Sequence, residues 1–269
     1  RASSPPSTLC ERPSRKPQSM LVHNPKGHYS FIRGIAPYSG GAVADDGFEV
    51  IHARFLQPLA LKQGFEAVEQ HLAAAKLPIH SLCGMELRSP RPFTFQGFND
   101  FNAGYIGVLK NWGLFLENVN PVARTNIAPK IGAPAEPSLY GFSYTSPSAA
   151  KRKTFVVAGA GELPEGSLDP HDVVRRGETS ADALREKAHF VMGLMSGRLQ
   201  GLGVGWSGVT TAEVYTVHPV WHLLENELVR PMGASGIHGI TWHYSAPPIE
   251  TIEFEMDLRG CVRELVLTP

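Results

Sequence analysis

The chain lacks a surplus of either charge: 25 Lys and Arg stand against 25 Asp and Glu in 269 residues. A nucleic-acid binder working through a basic face needs excess cations to neutralise phosphates, so that class is excluded. Also missing is any run of about 18 uninterrupted apolar residues, the length a membrane-spanning helix requires. Cysteine is scarce. Cys10, Cys83 and Cys261 are far apart and odd in number, which rules out a disulfide scaffold and a four-thiolate zinc site and fits a reducing, cytoplasmic setting. The zincin pattern is absent too. His218 and His222 have i, i+4 spacing, but Pro219 follows the first and no glutamate stands beside it. His238 and His243 lie five apart on a strand-like segment, hence on opposite faces. No metal site is expected.

What is present is an ordinary globular composition, 42% hydrophobic and 19% charged, in a length that suits one large domain or two modest ones. Residues 1–19, rich in Ser, Pro and Arg without an apolar period, read as a disordered leader. Pro147 to Lys153 combines Pro, Ser and three successive basic residues and reads as an exposed linker. This divides the chain into 20–147 and 154–269, joined by 148–153.

The two parts repeat one order of elements. In the first, 29–35 and 49–55 read as strands, 59–76 as a helix with Leu61, Phe65, Val68 and Leu72 on one face, and 81–87 as a strand. A helix follows at 99–112, then strands at 122–127 and 139–144. In the second, a strand at 154–158 precedes a helix at 179–199, with capping chemistry at 178–182. A strand at 210–217, a short helix at 221–229 and strands at 237–244 and 251–258 follow. Matching elements begin at 59 and 179, 81 and 210, 99 and 221, a nearly constant offset that suggests duplication.

Several segments are similar to the RidA (YjgF, or endoribonuclease L-PSP-like) family: 154–164 (TFVVAGAGELP), the strand 210–217 (TTAEVYTV), Tyr105 followed by Asn120-Pro121-Val122-Ala123-Arg124-Thr125, and the closing Ile252-Glu253-Phe254-Glu255. The resemblance implies an α+β fold of two tandem chorismate-mutase-like domains, each a mixed sheet with two helices on one face. It also implies homo-oligomers, trimers above all, with pockets between neighbouring domains. The implied activity is hydrolytic deamination of a small carboxylated imine or enamine, of the 2-iminoacid or aminomuconate type, without metal or organic cofactor.

By the same resemblance Arg124 anchors the substrate carboxylate and Glu253 orients water, with Tyr105, His238, Gly159 and Gly161 as substrate-binding positions. Guanidinium presents a planar fork that matches a carboxylate, and imine hydrolysis needs an oriented water and proton transfer. The pair is split, however. Fifteen residues beyond Arg124 stands Leu139, and fifteen before Glu253 stands His238. Glu253 and Glu255 alternate with apolar residues, so one solvated face would also explain both, and Tyr105 suits a core as well as a pocket. Two rivals follow: a chorismatase-like hydrolase of chorismate, and a non-catalytic small-molecule binder. Gly159-Ala160-Gly161 is not a dinucleotide site, because Glu162-Leu163-Pro164 follows where a helix would have to start.

Overall fold

The computed structural model describes residues 21–268; the expected leader at 1–19, with Cys10, lies outside them. Twelve strands occur in chain order: β1 (Leu21–Asn24), β2 (Tyr29–Ile32), β3 (Gly41–Ala44), β4 (Phe48–Ala60), β5 (Leu82–Arg88), β6 (Ala123–Pro129), β7 (Ser138–Pro147), β8 (Phe155–Gly161), β9 (Thr211–Thr216), β10 (Thr241–Ala246), β11 (Glu255–Gly260) and β12 (Glu264–Leu267). The α-helices are α1 (Leu61–Ala74), α2 (Phe95–Asn111) and α3 (Ala181–Gly201). The helix starts are chemically marked: Thr94 Oγ1 accepts from Gly97 N–H ahead of α2, and Ser180 Oγ accepts from Ala183 N–H ahead of α3.

All twelve strands join one sheet, in the order β1-β2-β3-β8-β11-β9-β10-β6-β5-β7-β4-β12. This corrects the expectation of two tandem RidA-like domains. The joint is a direct antiparallel pairing of β10 with β6, Ser245 opposite Pro129 and Ala246 opposite Ala128. The chain ends also cross over: β3 pairs with β8 of the later part, and β12 pairs in parallel with β4 of the earlier one. Within this sheet β4-β7-β5-β6 and β8-β11-β9-β10 follow one connection order. The expected second helix of the later part is replaced by a π-helical turn at Leu224–Val229 and a 3-10 stretch at Arg230–His238. Pro231 and Gly233, the latter at φ 59°, break the regular hydrogen-bond ladder there.

The helices cover outer faces. α3 lays Leu184, Ala188, Val191 and Met195 against Phe155, Val157, Val214, Met256 and Leu258. α1 and α2 lay Phe65, Val68, Leu72, Tyr105 and Leu109 against the strands of the earlier part. Across the other side, β8 approaches β4, β5 and β6, enclosing an interior. One end of that interior is apolar, filled by Tyr29, Phe31, Ala42, Val50 and Cys83. The remainder is charged.

Candidate functional site

β11 explains the charge. Phe254, Met256 and Leu258 point to α3, so Glu253, Glu255, Asp257 and Arg259 share the opposite face. The alternation read as a solvated face therefore points inward: Glu255, Asp257 and Arg259 are all buried.

Arg124, on β6, is 3% exposed. Its guanidinium carbon lies 4.8 Å from the ring centre of Tyr105, 5.0 Å from Tyr38, 5.4 Å from Phe98 and 6.0 Å from Phe101. Among the described residues, neither terminal nitrogen has a hydrogen-bond partner. Aromatic faces attract a cation but satisfy none of its in-plane N–H donors, and burial lowers the group's affinity for its proton. The geometry of such a guanidinium matches a planar anion.

Glu255 is the acid whose field reaches Arg124. Burial, foremost, and the neighbouring Asp257 push its carboxyl well above the usual carboxylate range, although Arg198 and Arg124 pull it down. It is therefore a proton donor at pH values where an exposed glutamate is ionised. Its position is fixed from below. Glu162 is fully buried, paired with Lys187 Nζ at 2.9 Å, and accepts the N–H groups of Glu253 (2.7 Å) and Phe254 (3.0 Å), which sets the path of the chain into β11. Arg198 is already committed, bidentate to Glu165 and donating to the Ala158 carbonyl.

Glu253 is not brought to Arg124. Partly exposed, it meets His218, Nε2 to Oε2 at 2.8 Å. His238 is exposed at the end of the 3-10 stretch. Tyr105 is buried and donates to Met85 Sδ at 3.5 Å, with its ring against Arg124. Gly159 abuts Glu255, and Gly161 abuts Ile252. Residues that sequence reasoning passed over are Tyr38, Phe98, Phe101, Asp257 and Tyr215. Phe98 was recoverable from the period of α2, while Tyr38 lies in a loop without a pattern.

Deeper in the interior, Asp257 Oδ2 accepts from Thr125 Oγ1 (2.6 Å) and Tyr215 Oη (3.0 Å), and Tyr215 also reaches Glu213 (2.7 Å). Arg259 bridges Glu213 at 3.1 Å and Glu264 at 2.9 Å. A cavity of about 10 Å³ lined by Glu86, Arg124, Thr125, Asp257 and Arg259 has space for one water and none for an organic acid. No three His, Cys, Asp or Glu side chains among the described residues are placed to hold a metal ion. Burial pushes the Cys261 thiol up to about 12 and Cys83 well above its usual value, so neither is a ready nucleophile.

A family model described as 2-aminomuconate deaminase CnbZ matches residues 21–265. The 2-amino-5-chloromuconate deaminase of Comamonas testosteroni is 45% identical over 250 residues, spanning 92% of this chain and 98% of its own. These matches correct the resemblance to RidA/YjgF: short shared motifs pointed to one family, and similarity along nearly the whole chain points to another. Among solved structures, a chorismatase aligns with 82% of this chain and 77% of its own, at 13% identity and TM-score 0.48. The cyanuric acid hydrolase of A. caulinodans aligns with 79% and 67%, at 11% identity and TM-score 0.37.

Proposed function

The chain belongs to the 2-aminomuconate deaminase CnbZ family, and on that premise we propose that it hydrolyses a 2-aminomuconate-type enamine to the corresponding 2-oxo diacid and ammonia. The observation that carries this reading is the buried Arg124 guanidinium, unpartnered at both terminal nitrogens among the described residues and within the electrostatic field of Glu255, whose carboxyl is held protonated by burial.

The chemistry follows from the substrate class. A conjugated enamine becomes electrophilic when a proton adds to carbon and the C–N bond becomes an iminium. Glu255 supplies that proton. Water then adds at the C–N carbon and gives a proton to the Glu255 carboxylate. Proton transfer to nitrogen expels ammonia as the carbinol O–H is lost, leaving the ketone and a protonated Glu255. One water enters and one ammonia leaves. Arg124 holds the adjacent carboxylate through two parallel N–H donors, while Phe98 and Phe101 shield the flat diene from solvent.

Ammonia release from 2-aminomuconate by the purified protein, measured with wild type, Arg124→Ala and Glu255→Gln, tests this. Catalysed release that both variants lose is the expected result. Release no faster than the spontaneous reaction overturns it.

A further inference from the structure

The face of α2 that meets β6, and β6 itself, carry two more polar groups with nothing to bond. Asn102 stands one turn from Phe98 and one from Tyr105, whose rings lie 5.4 and 4.8 Å from the Arg124 guanidinium carbon, and the three share the buried face of α2. Asn126 follows Arg124 by two residues on β6, so both leave the strand on the same side, about 7 Å apart. Both amides are buried. Asn126 Oδ1 accepts from Ser89 Oγ at 2.9 Å, which commits the oxygen and leaves Nδ2. That donor and the acceptor Asn102 Oδ1 have no hydrogen-bond partner among the described residues. A core closed for good would be more stable with carbon at these positions, since an unpaired buried amide is destabilising. Tyr38 and Phe101, which lie against Arg124, are only half-buried, so the cover over the guanidinium reaches the surface.

We propose that Asn102 and Asn126 complete the substrate site: Asn102 Oδ1 accepts from the 2-amino group, and Asn126 Nδ2 donates to the carboxylate at the far end of the diene. The inference rests on the deaminase reading for the identity of the substrate. A 2-aminomuconate presents two carboxylates and one amino group in a plane. The carboxylates only accept, and the enamine nitrogen, whose lone pair is drawn into the diene, only donates. Facing them are a two-pronged cation, one free acceptor and one free donor, so each unpaired group of the protein finds its complement. With one carboxylate on Arg124, the amino group on the neighbouring carbon meets Asn102, which sits between rings that flank the guanidinium. The second carboxylate lies a diene's length away, comparable with the two-residue step along β6 to Asn126. The pair therefore selects a diacid of this length with nitrogen beside the anchored carboxylate.

Paired ligands separate recognition from folding. Sorbate keeps the diene and one carboxylate of muconate and lacks the other carboxylate. In calorimetric titrations wild type should bind muconate at least about ten-fold more tightly than sorbate, the worth of a hydrogen bond to a charged group. Asn126→Ala should bring muconate down to the sorbate affinity and leave sorbate unchanged. Asn102→Leu, close to asparagine in volume, should raise the KM for 2-aminomuconate about ten-fold and leave muconate, which has no amino group, at its wild-type affinity. Damage to the fold would weaken both members of each pair alike. A wild-type ratio of muconate to sorbate affinity in Asn126→Ala overturns the assignment while ammonia release by wild type stands. So does an unchanged KM in Asn102→Leu, or an equal loss there on 2-aminomuconate and muconate. Should wild type release no ammonia, the deaminase reading falls and the role of Asn102 falls with it, and the muconate–sorbate comparison still decides Asn126.

Discussion

Gly159 and Glu255 are packed so closely that a Cβ on the glycine would stand 2.2 Å from Glu255 Oε1 and 3.1 Å from the Thr125 methyl. The absence of a side chain at 159 is thus what gives the buried carboxyl its place. Gly159→Ala should displace Glu255 and lower kcat by more than about ten-fold, at an overpacking cost of about 1–3 kcal/mol. Ammonia release and urea unfolding on the same preparation separate the two effects. Full activity in Gly159→Ala would mean that Glu255 is not held by this contact.

Arg124 opposes function to stability. A buried guanidinium without hydrogen-bond partners is costly in the free protein, so Arg124→Met should leave the melting temperature unchanged or raise it. The same change should lower kcat/KM at least about thirty-fold, since losing one partner of a buried hydrogen-bonded charge pair costs about 2–5 kcal/mol. Arg124→Lys should recover little, having no planar fork.

Glu255 sets a pH dependence whose sign is fixed by its environment. Its carboxyl is held well above the ordinary range, so the folded protein binds a proton there that the unfolded chain has already released. Its contribution to stability is complete below the unfolded value and is lost as pH rises through the folded one. Asp257 is shifted the same way, by burial first and then by Glu213 and Glu86. Deamination should fall on the alkaline side as Glu255 ionises. Glu255→Gln should be almost inactive and should lose less stability than wild type between neutral and alkaline pH, which thermal unfolding across that range would measure.

Much of the local structure could be read from the pattern of residues. The faces of α1 and α3 and the strands around Arg124 follow from short segments, whereas the expectation of deamination, of a 2-iminoacid or aminomuconate type, comes from a resemblance to RidA that the match along nearly the whole chain corrects. The single sheet does not, because it depends on β10 meeting β6, on β3 meeting β8 and on β12 returning to β4, pairings between strands far apart in sequence. The same reason explains the acid. Period-2 alternation shows that Glu253, Glu255 and Asp257 share a face, but only the approach of β6 and β5, through Thr125 on Asp257 and Glu86 on Arg259, determines that the face is interior. Glu253 sits where that cover ends, paired with His218, and Glu255 lies beneath it.

The segment entering β11 hangs on one ion pair. Lys187 and Glu162 are both fully buried, and Glu162 also holds two backbone N–H groups of that segment. Removing the cation alone in Lys187→Met should cost about 3–5 kcal/mol. Activity should fall more steeply than the folded fraction, because Glu255 lies just beyond the tethered residues. Urea midpoints and specific activity, normalised to folded protein, would show it.

The central claim is that a diacid docks on Arg124 next to a protonated Glu255. Calorimetric titration with muconate, which carries the two carboxylates but no amino group to release, tests it most directly. Wild type and Glu255→Gln should bind it with comparable affinity and Arg124→Met should not. Equal binding to Arg124→Met would contradict the account.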